Sequence, residues 1–168
     1  MVVRLKKLHL STKYVKYYAI LLFVFACLNA NIITGKVTAV QDGDTIDILS
    51  GQTRYRIRLD GIDCPEKKQA YGEVARKFTS ERCFGKVVRA DIKGKDVYGR
   101  HLAVVFYDKA KNLNRELLRQ GLAWHYKAYN KDKQLSKLES KARKEKLGLW
   151  KEIDPQQPWV YRKKGKSK

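Results

Sequence analysis

Two short stretches of the sequence place carboxylates where chemistry could use them. One is Ile62-Asp63-Cys64-Pro65-Glu66, with acids three residues apart across a proline. The other is Asp42-Gly43-Asp44-Thr45, between two stretches of β-type alternation. Acids are the minority here: 17 Asp and Glu stand against 37 Lys and Arg, a formal net charge of +20. Asp-Gly pairs are ordinary turn formers, and DGDT alone reads as a turn. It is no EF-hand loop, because Ile46 stands at a ligand position and the closing glutamate is missing. The two stretches together say more. A hairpin between residues 45 and 59 would bring Asp44 and Asp63 side by side. Two carboxylates, a backbone carbonyl and waters make a hard-oxygen site suited to Ca²⁺. Pro65 fixes its own φ and biases Cys64 towards extended geometry, which aims the Cys64 carbonyl. Glu66 then lies nearby, free to orient or deprotonate a water.

A third cluster is Asp96-Val97-Tyr98-Gly99-Arg100. Its plain reading is a polar β-turn with a solvated arginine. Its chemical reading is an arginine aimed at a phosphate: planar, permanently charged and bidentate. Arg58 stands five residues before Asp63, on the charged face of its strand. A cation, two arginines and a base would form a phosphodiester-cleaving constellation. The basic field suits such a substrate, because it attracts polyanions and speeds their capture. Nucleic acid is the first such partner and anionic membrane the second. The histidines are His9, His101 and His125, and none pairs with a cysteine at zinc-site spacing.

The elements that would hold these groups are legible in outline. Ile32 to Leu59 alternates as β-structure, with a hairpin turn at Ser50-Gly51-Gln52. Tyr55, Ile57 and Leu59 point one way; Arg54, Arg56 and Arg58 point the other. The pattern predicts a helix from about Tyr71 to Phe84, with Val74, Ala75, Phe78 and Arg82 inward and Gly85 as its stop. Strands follow at Lys86–Ile92 and Leu102–Tyr107, with a turn around Gly94-Lys95. A helix over about Asn112–Gln120 would bury Leu113, Leu117 and Leu118, with Gly121 just past its end. The last helix, about Lys133–Lys146, carries Leu135, Leu138 and Ala142 at helical spacing. Five short strands and three helices read as an α+β domain, a small β-barrel plus helices.

The ends of the chain read differently. Arg4, Lys6, Lys7, Lys13 and Lys16 precede an unbroken apolar run from Ala19 to Leu28. That run has the roughly 7–15-residue length of a signal-peptide core and falls short of the roughly 20 a membrane-spanning helix needs. Residues 1–30 read as a secretory signal peptide cut near Ala30, with an uncleaved anchor or a lipoprotein signal at Cys27 as alternatives. The protein is then exported, periplasmic or secreted. Cys64 and Cys83 remain, free to oxidise in such a compartment. Residues 153–168 read as a basic, disordered tail.

DGDT, then YRIRLDGIDCPE (Tyr55–Glu66), then Tyr98-Gly99-Arg100, then LLRQGLAWHY (Leu117–Tyr126) stand in a telling order. In order and spacing they resemble the staphylococcal nuclease (thermonuclease) family. The resemblance spans about Ile32 to Trp150, within a domain of residues 31–152. It implies a five-stranded OB-fold barrel with three helices, Ca²⁺ dependence, and cleavage of DNA and RNA by in-line attack of water, leaving 3′-phosphates. By position it makes Asp44 and Asp63 calcium-binding carboxylates and Cys64 a backbone-carbonyl ligand. Arg58, Glu66 and Arg100 resemble the catalytic trio. Cys64 departs from the threonine of the type enzyme. Tyr129 matches one of that enzyme's base-side tyrosines, while Lys127 replaces the other; Tyr126 or Trp124 substitutes, or packs in the core. Tyr98 reads as a site wall. The expected partner is single-stranded or frayed nucleic acid, bound by a monomer with no protein partner implied. Two rivals are an OB-fold module that grips nucleic acid without cutting, and a polyanion- or membrane-surface binder that uses the basic field alone. All five site positions carry competent side chains, which favours the enzyme.

Overall fold

The structure is a computed structural model that describes residues 31–166. The signal-peptide expectation falls on residues outside that range.

Alternation of apolar residues builds the barrel. Strands β1 (Ile32–Asp42), β2 (Thr45–Ser50) and β3 (Thr53–Leu59) form an antiparallel meander. A short β4 (Ile62–Asp63) and helix α1 (Gly72–Cys83) lead to β5 (Val87–Lys95) and β6 (His101–Tyr107). β5 pairs with both β1 and β6. The barrel closes where β6 runs parallel to β3, with Ile57 opposite His101 and Leu59 opposite Ala103. Ile46, Ile48, Ile57, Leu59, Val88, Ala90, Ala103 and Val105 recur at alternate positions and fill the interior. This is the expected five-stranded OB-fold barrel of an α+β domain. Among the described residues no helix is long and apolar enough to cross a membrane.

Helices cover one end. After β7 (Lys111–Asn112), α2 (Leu113–Arg119) starts where the Asn112 side chain accepts the Arg115 N–H at 2.9 Å. It ends with Gly121 in left-handed backbone, φ 64°, as the sequence predicts. β8 (Trp124–His125) follows, then α3 (Lys133–Lys144), capped by Asp132. Asn114 of α2 is buried against the barrel seam. Its Oδ1 accepts the Val105 N–H at 3.0 Å, and its amide donates to the carbonyls of Asp60 at 2.9 Å and Ala103 at 3.2 Å.

Three expectations fail for identifiable reasons. The inner face of α1 is Gly72, Ala75, Thr79 and Cys83, and Val74 is exposed. The helix is rotated so that the Thr79 hydroxyl meets the barrel, which an apolar-stripe rule cannot see. β5 runs through Gly94 to Lys95, because an irregularity between Ile92 and Gly94 absorbs the expected turn into the strand. Among the described residues of the tail expected to be disordered, Pro158–Lys166 forms a fourth helix, α4. Pro158 sits at its first position, where the missing N–H costs nothing. Cys64 and Cys83 are both buried and unpaired.

Asn114→Ala strands a buried N–H and removes the partner of two carbonyls. It is expected to cost about 2–4 kcal/mol in urea unfolding. A loss below about 1 kcal/mol would mean that water replaces the amide.

Candidate active site

The β1–β2 turn carries Asp44. Gly43 packs so closely on α1 and the 62–66 segment that a Cβ there would lie 2.7 Å from the Ala75 Cβ and 2.8 Å from the Cys64 Sγ. The Thr79 hydroxyl donates to the Gly43 carbonyl at 2.6 Å, so α1 clamps the turn. The Asp44 carbonyl accepts the Leu59 N–H at 2.8 Å, which fixes the turn against β3. Asp63 arrives by a different route. Gly61, at φ 73°, reverses the chain after β3. β4 then pairs with β8, Asp63 opposite Trp124.

The two acids meet at one guanidinium. Arg58 Nη1 lies 2.9 Å from Asp44 Oδ2, and its Nη2 donates to Asp63 Oδ1 at 2.5 Å. Nη1 also donates to the Leu59 and Ile62 carbonyls. Asp44, Asp63 and Arg58 are 4, 1 and 8 % exposed. The Cys64 N–H donates to Asp44 Oδ2. Burial pushes the Asp44 carboxyl well above the usual range; Arg58 pulls it back, while Asp42 and Asp63 push it further up.

The chemistry of the donor set is the test of whether a cation fits. Asp44 and Asp63 offer hard carboxylate oxygens within reach of one cationic group, a donor set that suits Ca²⁺. Among the described residues no group of three His, Cys, Asp or Glu side chains forms a ready cage. Carbonyl oxygens and water would complete the shell, which calcium accepts.

Glu66 is half-buried beside Asp63, and a second guanidinium joins them. Arg162 of α4 donates through Nη2 to Asp63 Oδ2 at 2.8 Å. Through Nη1 it reaches Asp63 Oδ1 at 3.2 Å and Glu66 Oε1 at 2.6 Å. Sequence reasoning missed Arg162. The available signal was Pro158 followed by Trp159 and Arg162 one helical turn apart, on one face of a possible helix.

Arg100 sits elsewhere. Its Nε donates to Asp96 Oδ2 at 2.6 Å, and its guanidinium lies 5.5 Å from the Tyr98 ring centre. Among the described hydrogen bonds and ion pairs none joins it to Asp44, Asp63 or Glu66. It directly precedes His101, which is in register with Ile57, so its turn abuts the strand that carries Arg58. An open hollow of about 270 Å³ adjoins it, lined by Arg54, Arg56 and Tyr98 among others. Tyr98 and Tyr129 are strongly exposed. Tyr126 is half-buried, 4.7 Å from Tyr129 between ring centres, and its N–H donates to the Gly61 carbonyl. Trp124 is a core residue, packed on Trp150 at 4.5 Å. Of the two candidates to replace the missing tyrosine, Tyr126 is therefore the accessible one.

A family model described as staphylococcal nuclease homologue matches residues 56–152. The chain belongs to the staphylococcal nuclease family. It is 41 % identical over 149 residues to an uncharacterized endonuclease of Escherichia coli O157:H7, covering 88 % of this chain and 97 % of that protein. It is 39 % identical over 150 residues to an uncharacterized endonuclease of Haemophilus influenzae, covering 87 % and 84 %. A micrococcal nuclease of Shigella flexneri is 37 % identical over 143 residues, covering 79 % and 82 %. This staphylococcal nuclease homologue is a nuclease, and its substrate class is nucleic acid. The residues matched by the family model include Arg58, Asp63, Glu66 and Arg100, and Asp44 precedes them.

In the family member described here, Arg58→Ala would leave two buried acids facing each other. Unfolding in denaturant with chelator present should show a loss of about 3 kcal/mol or more; a loss under about 1 kcal/mol would mean the bridge is dispensable. A second expectation concerns the Arg100 turn. Burial raises the Asp96 carboxyl, but hydrogen bonds from the Arg100 side chain and backbone outweigh it and hold the group below its ordinary 3.8. A depressed folded value means stability that is present above the ordinary value and lost as pH falls through the folded one. The stability advantage of the parent over Asp96→Asn should therefore persist at pH 6 and shrink steadily below about pH 4. An advantage independent of pH would refute the charged pairing.

Proposed function

We propose that this nuclease is an exported, Ca²⁺-dependent endonuclease that hydrolyses phosphodiester bonds of DNA and RNA and leaves 3′-phosphates. The observation that carries the reading is the buried Asp44–Asp63 pair with Glu66 at its edge. Such a pair has a use for a hard cation and little use as a structural device. Asp44 and Asp63 hold the cation, together with the Cys64 carbonyl. Calcium, when bound, supplies Lewis-acid polarisation of a phosphate oxygen. Glu66 orients the attacking water and takes its proton at a carboxylate oxygen. Arg58 and Arg100 set permanent, planar charge against the phosphate as its negative charge builds. Tyr126 and Tyr129 offer faces for an exposed base, and Tyr98 walls the phosphate side, which favours single-stranded or frayed substrate.

Export is proposed from the apolar run at Ala19–Leu28 behind a basic start. Cleavage near Ala30 would remove five of the 20 excess positive charges, and the remaining excess serves capture of the polyanion at either destination, periplasm or medium. One protomer contains every group named, so a monomer suffices.

The test is a gel. Full-length protein is incubated with single-stranded DNA at about 10 mM Ca²⁺, enough to fill a weak site, or with chelator. Cleavage is expected only with calcium. Glu66→Gln should lose at least about a hundredfold in rate while still shifting the DNA, because the base is gone and the charge field is not. A band that shifts uncut in both lanes would make the protein a binder. Undiminished cleavage by Glu66→Gln would remove that residue from the mechanism.

A further inference from the structure

We propose that α4 is an internal plug of this active site, in which Arg162 stands in for the cation and Trp159 covers the base-side aromatic face. The inference rests on the reading of Asp44 and Asp63 as a cation site.

The geometry is that of an occupied site. Asp63 Oδ1 faces both Arg58 and Arg162, and Oδ2 faces Arg162. A divalent cation and Arg162 therefore exclude one another, since each needs the same oxygens of Asp63. The Nη1–Oε1 pairing of 2.6 Å also holds Glu66 in an ion pair. A carboxylate so engaged is not free to orient water.

The aromatic contact is equally specific. The Trp159 ring lies 5.1 Å from the Tyr126 ring centre and 9° from parallel, while meeting Trp124 edge-on at 5.8 Å. A flat ring stacked on a half-buried tyrosine is the arrangement a nucleobase takes on an aromatic platform. One helix thus presents a cation to the acids and a stacked ring to the platform. It mimics both halves of what the site binds.

Trp159 packs on the Trp124–Trp150 cluster and Arg162 pairs with Asp63 and Glu66, so α4 is held in large part by the groups the site itself presents. The Gln69 amide donates to the Gln156 carbonyl at 2.5 Å, which ties the strap that leads into α4. Beneath it a hollow of about 220 Å³ lies between Pro65, Gln69 and Tyr71 on one side and Pro155 and Tyr161 on the other. The Arg162 side chain stays 39 % exposed. A plugged molecule binds cation more weakly by the fraction of time the site is open.

Calorimetric titration of Ca²⁺ into the full chain, with no nucleic acid present, tests this. Arg162→Ala and Trp159→Ala are titrated alongside, with hydrogen exchange over residues 158–166 before and after calcium. If the plug is closed about four-fifths of the time, both variants bind Ca²⁺ about fivefold tighter than the parent. Exchange in α4 of the parent accelerates on adding calcium. Trp159→Ala is the deciding variant, because it changes no charge. Tighter binding by Arg162→Ala alone would be simple relief of repulsion and would overturn the plug. Equal affinities in all three proteins would overturn the plug and leave the cation site standing. No calcium binding by any of them at about 10 mM would remove the cation site and the plug with it. Unchanged exchange in α4 would also overturn it.

Discussion

The bridge that Arg58 makes between Asp44 and Asp63 is the constraint around which the rest of the molecule is arranged. Three ionisable groups from the β1–β2 turn, β3 and β4 share a space with little water. Each alone would be costly there, since burying an unpaired ion costs several kcal/mol even after relaxation. They must arrive together and in register. The parallel β3–β6 pairing fixes the height of Arg58, the Thr79 clamp fixes the Asp44 turn, and the β4–β8 pair fixes Asp63. Replacing the trio by apolar residues would be easier on stability. Its retention makes sense as a site and poor sense as a staple.

A second cluster serves the other side of the site. Trp124, Ala142, Leu149 and Trp150 form an apolar group separate from the barrel interior. The Arg143 guanidinium lies 3.8 Å from the Trp150 ring centre and also reaches Glu139 at 3.1 Å. Buried Glu139 in turn accepts from Lys127 and from the His125 N–H. This network holds the 124–129 segment, and with it Tyr126, beside Asp63. The placement of the aromatic face is thus set by α3, an element that supplies no reacting group.

How far this could be read in the sequence depended on the kind of signal. Barrel strands came from the alternation around Ile46, Ile48, Ile57 and Leu59, because a barrel interior demands period two. The α2 boundary came from Asn112 and Gly121, whose local chemistry leaves little choice. The proximity of Asp44 and Asp63 followed from a hairpin of the right length. The failures share a cause. Thr79, which faces inward on α1, carries no apolar mark. Arg58 reads as surface charge by alternation, although it is buried, since only its tertiary partners make burial tolerable. Arg162 sits in a run rich in lysine, and composition averaged away the one arginine placed a helical turn after Trp159.

The pairing of β4 with β8 has a consequence in time. Asp63 is held by a strand whose partner, Trp124–His125, is made much later in synthesis, and Tyr126 comes later still. Barrel closure itself waits for residues 101–103 to reach β3. No amino-terminal fragment short of β8 can therefore assemble the acid pair in its final setting. Contacts this distant in sequence form slowly, because loop closure has to precede any reward. The topology leaves the acid pair without its final setting until folding is nearly complete.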